Sequence, residues 1–348
     1  MKRHTLGQLL ALILILTSAC SPSDLPAAAT LAPQPQPQAL ASPSPGVPLL
    51  TATLPVILKT PDSSPLPPQP SAPINGLQFP IRAAFYYPWF PEAWKQQGMN
   101  PFTHYHPDLG FYNQDDLSVL RQQITAMQYG RIQAGIVSWW GPGTRTAGRF
   151  PALLKLGEEL GFKWAVYIES EGAGNPAVEK IRSDLQFIRD NYAASPAYLS
   201  VNGRFVVFVY SDPSDGCDMA SRWTQANTVG AYVVLKDFGG YRKCAAQPDG
   251  WHQYAPANAK STALNDSYTI SPGFWKGTES AARLQRDLNR WSADIKLMVA
   301  SPARFQLITT FNEWGEGTAV ESASEWDSPS HYGSYLDALH DDGTSPNG

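Results

Sequence analysis

The chain has 348 residues, 43% of them hydrophobic and 16% charged, with a formal net charge of −4. Three cysteines cannot staple a chain this long into a disulfide-dense miniprotein, and the mild acidity excludes the basic stripe of a nucleic-acid binder. The averages conceal two polymers. Every aromatic residue (11 Trp, 15 Tyr, 14 Phe) lies at or after Phe79, whereas nearly half of the 31 prolines fall between residues 21 and 78. The folded part therefore starts near residue 79 and has about 265 residues, enough for a sizeable core.

The first 20 residues read as an export signal. Lys2, Arg3 and His4 open it, and residues 9–16 form an apolar run too short to span a bilayer as a finished helix. It closes on Thr17-Ser18-Ala19-Cys20. Small residues followed by a Cys resemble a bacterial lipobox, which implies cleavage before Cys20 and lipidation of its thiol, although Thr17 stands where Leu is commoner. An ordinary signal peptide with an incidental Cys is the alternative. Residues 21–78 repeat Gln-Pro and Ser-Pro and carry only Asp24, Lys59 and Asp62 as charges. Proline removes backbone donors and biases its neighbours toward extended states, so a disordered linker is expected, with a reach on the order of 180 Å. The expected location is the cell envelope, with the exported chain anchored to a membrane through lipid. Cys217 and Cys244 then remain, and an exported protein sits where they can pair. Two free thiols are the alternative.

From residue 79 the pattern alternates. A strand is predicted over 81–87, then a helix over 115–129 with Leu117, Leu120, Ile124 and Met127 on one stripe. A strand over 135–140 precedes a helix over 152–160. A strand over 163–168 precedes a helix over 176–192, whose first turn suits Pro176. The strand at 204–210 is apolar on both faces. A helix over 217–225, strands over 231–235, 250–254 and 268–271, a helix over 279–291, a strand over 305–311 and a helix over 331–340 complete the chain. About eight such strands joined by helices predict an α/β fold, a (β/α)8 TIM barrel over 79–342 with a tail at 343–348. A doubly wound open sheet is the alternative, but no Gly-rich phosphate loop follows the first strand.

Active sites of such barrels lie at the C-terminal ends of the strands. Those ends carry Tyr86, Tyr87 and Trp89, then Trp139 and Trp140, then Glu169, Tyr210 and Tyr254, and finally Asn312-Glu313-Trp314-Gly315-Glu316. Sugar rings present C–H faces that pack on aromatic planes, and hydroxyls that bind carboxylates, so the set reads as a carbohydrate-like lining. Glu313 and Glu316 follow an apolar strand, where burial and mutual repulsion should push two carboxyl pKa values apart. That leaves one acid and one base, the division glycoside hydrolysis uses. Glu169 is a candidate ligand for a sugar hydroxyl, Glu321 a supporting acid, and Glu171 an exposed one. Asp115 and Asp116 suit helix N-capping, and Asp212 and Asp237 suit turns. His104, His106 and His252 lack metal-ligand spacing, and no Gly-x-Ser-x-Gly elbow occurs, so neither metal nor cofactor is expected.

Six segments together resemble glycoside hydrolase family 99, the endo-α-1,2-mannosidases and mannanases. They are Ala84-Phe-Tyr-Tyr-Pro-Trp-Phe90, His106-Pro-Asp-Leu-Gly-Phe-Tyr112, Ala134-Gly-Ile-Val-Ser-Trp-Trp140, Tyr167-Ile-Glu169, Phe208-Val-Tyr210 and Thr310-Phe-Asn-Glu-Trp-Gly-Glu-Gly-Thr-Ala-Val-Glu321. The resemblance implies a (β/α)8 barrel and retaining cleavage of an α-mannosidic bond through a 1,2-anhydro sugar. It assigns Glu313 as the base on the sugar 2-hydroxyl and Glu316 as general acid/base. Three departures stand out: Gly315 where the family has His, Tyr167 and Ser170 around Ile168-Glu169, and Lys276 as the nearest cation after Gly273 where Arg is expected. They bear on the substrate more than on the chemistry. The implied partners are an oligosaccharide or polysaccharide and, through the N-terminal lipid, a membrane, with the chain acting as a monomer. The alternatives are a non-catalytic glycan-binding lipoprotein on the same fold, and a retaining glycosidase with a protein nucleophile such as Glu169.

Overall fold

A computed structural model of the protein describes residues 77–344. The signal, Cys20, nearly all of the Pro-rich stretch and residues 345–348 lie outside the described residues. Strands β1 (Ile81–Tyr86), β2 (Ala134–Trp139), β3 (Lys163–Ile168), β4 (Ser200–Val201), β5 (Arg204–Val209), β6 (Tyr232–Lys236), β7 (Gly250–His252), β8 (Lys260–Ala263), β9 (Ser267–Ile270) and β10 (Phe305–Ile308) form one sheet. Its order is β7-β6-β5-β3-β2-β1-β10-β9-β8, with β4 paired to β5. The β4–β5 and β8–β9 pairs are antiparallel; the other ladders are parallel. The eight parallel strands thus curl into a nearly closed barrel. No ladder joins β7 to β9, and side chains bridge that seam instead. The Trp251 amide donates to Asp266 (3.0 Å) and the Thr269 hydroxyl to the Gln253 carbonyl (2.7 Å).

Helices α1 (Leu117–Tyr129), α2 (Arg145–Leu160), α3 (Glu171–Gly174), α4 (Val178–Asn191), α5 (Gly216–Ala226), α6 (Leu288–Ala300) and α7 (Ser334–His340) complete the fold. Asp116 caps α1 by accepting from the Ser118 amide at 2.8 Å, as the sequence suggested. Asp115 instead holds Arg149 at 2.8 Å. Helix α2 starts seven residues before the predicted residue 152, because Thr144 caps it and Pro151 is absorbed in its interior. Proline there frees the carbonyl four residues back, and the Tyr192 hydroxyl donates to that carbonyl, Ala147 O, at 3.3 Å. The helix predicted over 279–291 is displaced. Residues before Asp287 use their backbone to bridge Phe274 (Phe274 N to Leu284 O, 2.8 Å), and Asp287 then caps α6 by accepting from the Arg290 amide.

Alternation along the strands sorts the core into two clusters. Ile81, Ala83, Phe85, Ile136, Ala165, Tyr167, Val206, Phe208, Val234, Phe305 and Leu307 pack inside the barrel. Tyr86, Val137, Trp139, Trp164, Val166, Ile168, Val207, Val209, Val233 and Leu235 pack outward under the helices. Cys217, in α5, is bonded to Cys244 across 27 residues, which ties α5 to the segment after β6.

Candidate active site

The alternation decides which strand-end residues reach the barrel mouth. Continuing the inward rows one step past the strands gives Tyr87, Trp140, Glu169, Tyr210, Lys236 and Tyr254. Tyr87 and Tyr254 pack with the interior cluster, and Trp89 and Tyr210 pack against it half-buried. Trp140, half-buried, shares its parity with Ser138 on β2. Tyr86, Trp139 and Trp314 do not line the mouth, which corrects the sequence reading. All three are fully buried in the outer cluster. The Tyr86 hydroxyl donates to Gln123 of α1 (2.5 Å), Trp139 faces Phe187 of α4, and Trp314 stacks near Trp326. Tyr86 and Trp139 stand one residue off the inward row, and Trp314 lies in the turn after β10, beyond the strand alternation.

The segment after β10 is built to hold two carboxylates. Asn312 extends the β1–β10 pairing with its side chain: its Oδ1 accepts from the Tyr87 amide (2.8 Å) and its Nδ2 donates to the Tyr87 carbonyl (3.0 Å). The Glu313 amide donates to Thr310 Oγ1 (2.8 Å), and the Thr318 amide closes the turn on the Glu313 carbonyl (3.2 Å). Gly317 has φ +67°, and a Cβ there would meet the Trp275 carbonyl at 2.7 Å, so only glycine fits. Backbone bonds from Trp275 and Gly277 to the carbonyls of Glu316 and Gly315, both 2.8 Å, lay residues 275–277 along the turn. That places Lys276 beside Glu316. Arg286 donates to the Gly317 and Ala319 carbonyls (3.0 and 2.6 Å) and lies over the Trp326 ring, bracing the turn from behind.

Within this frame the Glu316 amide donates to Glu313 Oε1 at 3.1 Å. Tyr87 donates to the Tyr254 hydroxyl (2.9 Å), and Tyr254 donates to Glu316 Oε2 (3.3 Å). Glu313 Oε2, Glu169 Oε1 and the Tyr167 hydroxyl are buried and bond to nothing in the protein. Such unpaired polar atoms are costly unless a ligand satisfies them. Burial pushes the Glu313 carboxyl well above the usual range, and the nearby Glu316 charge pushes it further. Burial also raises Glu316, but Lys276, the Tyr254 hydroxyl, Arg283 and Lys236 oppose the shift. Of the two, Glu313 is pushed up further, so in the free protein a proton on the pair favours Glu313 over Glu316. Burial raises Glu169 to about 8. His252, bonded to the Val209 carbonyl at 3.0 Å, is depressed to about 3 by burial and is neutral.

Three residues of the neighbourhood differ from expectation or were missed. Glu171 is not exposed; it is fully buried, paired with Arg222 and accepting from the Trp223 indole at 2.7 Å. Glu321, read from the sequence as a supporting acid, lies behind the turn. It accepts from Gln123, Tyr112 and Trp314 at 2.7 to 3.2 Å, and burial lifts it to about 7. Lys236 went unnoticed because a lysine at a strand end reads as a solvated edge, yet the parity of Tyr232 and Val234 already points it inward. A depression of about 390 Å³ lined by Leu77, Phe79, Val201 and Asn202 lies at the opposite end and has no titratable group.

The barrel of parallel strands thus carries carboxylates, tyrosines and half-buried indoles at its C-terminal mouth. No family model matches the sequence. The chain is 21% identical over 265 residues to the glycoprotein endo-alpha-1,2-mannosidase of Xenopus laevis, covering 64% of this chain and 59% of that protein. It is 22% identical over 285 residues to a glycoprotein endo-alpha-1,2-mannosidase-like protein of Mus musculus, covering 68% and 61%. The chain thus spans about three fifths of these relatives' length. Among solved structures it shares the fold of the GH99 endo-alpha-mannosidase from Bacteroides thetaiotaomicron, with TM-score 0.58, 19% identity, and 77% and 96% of the two chains covered. A glycoside hydrolase-like protein also matches, with TM-score 0.54, 15% identity, and 82% and 98% covered. At this low identity the chain is similar to endo-alpha-1,2-mannosidases in sequence and shares the fold of a GH99 endo-alpha-mannosidase.

Proposed function

We propose that the protein is a retaining, endo-acting α-glycosidase that cleaves α-mannosidic linkages of a polysaccharide or glycan. The observation that carries this is the pair of buried Glu313 and half-buried Glu316, joined by the Glu316 amide and flanked by unpaired polar atoms. In the reaction, Glu313 takes the proton of the sugar 2-hydroxyl while that oxygen attacks the anomeric carbon. The glycosidic C–O bond breaks, and Glu316 gives its proton to the leaving oxygen. Water then opens the 1,2-anhydro sugar at the anomeric carbon, Glu316 takes the water's proton, and Glu313 returns its own to the 2-oxygen. Two inversions give retention. No protein nucleophile is needed, and Glu169, lifted to about 8, is a poor one. The lipoprotein signal and linker of the sequence would hold this domain at the cell envelope as a tethered enzyme.

The charge distribution favours a second reading of the roles. Cations surround Glu316 and the free protein places the proton on Glu313. The assignment above therefore needs the proton to cross to Glu316 when substrate enters; without that crossing, Glu313 is the acid. Product analysis on α-mannans and α-glucans, with Glu313→Gln and Glu316→Gln beside the wild type, tests both readings. Glycosides with activated aryl leaving groups rescue only the variant that lacks the acid. Unchanged cleavage by Glu316→Gln would remove it from the chemistry. Failure of the wild type on every α-glycan would sink the proposal.

A further inference from the structure

Lys236 ends β6 on the inward row and is only 8% exposed. Its Nζ lies 3.9 Å above the Tyr210 ring and 4.8 Å from that of Phe238, and it donates to the Ser211 carbonyl at 3.3 Å. An ammonium group has three donors, and this contact takes one. Glu169 directly follows β3 on the same inward row, two strands away in the sheet order; its Oε1 is buried and makes no hydrogen bond, with the Ser138 hydroxyl the nearby group that favours its charged form. The two charges feel each other but form no ion pair within 4.0 Å. A buried acid and a buried ammonium on the inward rows of one barrel mouth, which act on each other without closing into an ion pair, can both be met by a group that donates and accepts.

We propose that Lys236 and Glu169 clamp one sugar hydroxyl, which accepts from Lys236 Nζ and donates to Glu169 Oε1. Lys236 is thus a binding residue that selects the configuration of the glycan at that carbon, since a hydroxyl of the opposite configuration leaves both buried partners unsatisfied. The inference rests on the glycosidase reading above. The Tyr210 face holds the lysine stem in place, so the ammonium is positioned before substrate arrives.

The test uses α-1,2-linked mannotriose and its set of monodeoxy analogues, followed by calorimetry and by steady-state kinetics. Lys236→Met keeps the stem on Tyr210 and removes the donors. It should raise KM and Kd about 10- to 100-fold, with a smaller change in kcat. One monodeoxy analogue should lose a similar factor with the wild type and lose nothing further with Lys236→Met, a non-additivity that a merely structural role does not produce. Lys236→Leu, which also lacks the donors, serves the same comparison if the methionine variant fails to fold. Equal monodeoxy penalties in wild type and variant overturn the clamp and leave the glycosidase reading standing. A wild type that neither binds nor cleaves any α-glycan overturns that reading, and the clamp with it.

Discussion

Gly315 is a glycine for a steric reason, and a double-mutant cycle exposes it. Its φ is not in the left-handed region, so the backbone makes no demand there. A Cβ at this position would meet Phe102 Cδ1 at 2.8 Å, Phe102 Cε1 at 2.9 Å and Glu313 Oε1 at 3.0 Å. The Phe102 ring, 3% exposed, occupies the space a side chain would need, and it also closes on Gly277. Gly315→Ala must therefore move either the ring or the carboxylate. Overpacking of this kind costs about 1–3 kcal/mol, a fall in Tm of roughly 2–10 °C for a domain of this size. A displacement of Glu313 by about 1 Å costs on the order of 100-fold in kcat. Phe102→Ala alone costs about 3–5 kcal/mol from the cavity it leaves. In the double variant the new methyl has room, so the combined loss should fall short of the sum by about 1–2 kcal/mol. Thermal unfolding followed by circular dichroism gives the stability terms, and turnover of the best-cleaved glycan gives the activity terms. Additive losses of stability would refute the steric account, and a Gly315→Ala variant with unchanged kcat would show that the Phe102 ring gives way rather than the carboxylate.

Three further outcomes are expected. Glu169 is lifted from 4.5 to about 8 by burial, so the folded state binds its proton more tightly than the unfolded chain. Its contribution to stability is full below pH 4.5 and is lost as pH rises through 8. Glu169→Gln should therefore match the wild type near pH 4.5 and exceed it by up to about 4 kcal/mol at pH 8 and above, while binding glycan more weakly; denaturant titrations at the two pH values decide it. Replacing Cys217 and Cys244 by Ser removes a cross-link over 27 residues. It should cost about 3–4 kcal/mol in the chain-entropy account, read as a lower thermal midpoint that dithiothreitol also produces in the wild type. Trp139→Ala and Trp140→Ala, adjacent in sequence, should separate: the first lowers Tm with little change in KM, the second raises KM with little change in Tm. The reverse pattern would contradict the strand parity.

The fold was legible because its strands are apolar on both faces, as in the run Phe205-Val-Val-Phe-Val209, and because helical stripes separate them. The less legible region is 236–287. There β7 is three residues long, β8 is an antiparallel addition to β9, and the bridging backbone of 274–286 imitates a helical spacing. In the site, motif reasoning placed Glu313, Glu316, Tyr87, Tyr254 and Glu169 together because each ends a strand or directly follows one. It also admitted Tyr86, Trp139 and Trp314, since a segment name carries no information about which side of the sheet a residue takes.

That distinction has a physical consequence for how the site works. Side chains on the inward row are fixed by the barrel itself, so Tyr87, Glu169, Lys236 and Tyr254 are held on rigid strand ends. Outward residues act through them. Glu321 grips Trp314, Tyr112 and Gln123, and Tyr86 joins the same polar group through Gln123 and Gln114. The turn bearing Glu313 and Glu316 is thereby pinned from behind by a buried network and from the front by Asn312 on Tyr87. Two carboxylates that repel each other at the barrel mouth would drift apart on a loose loop. Here the repulsion is contained by backbone bonds, and it drives the pKa of Glu313 upward beside Glu316.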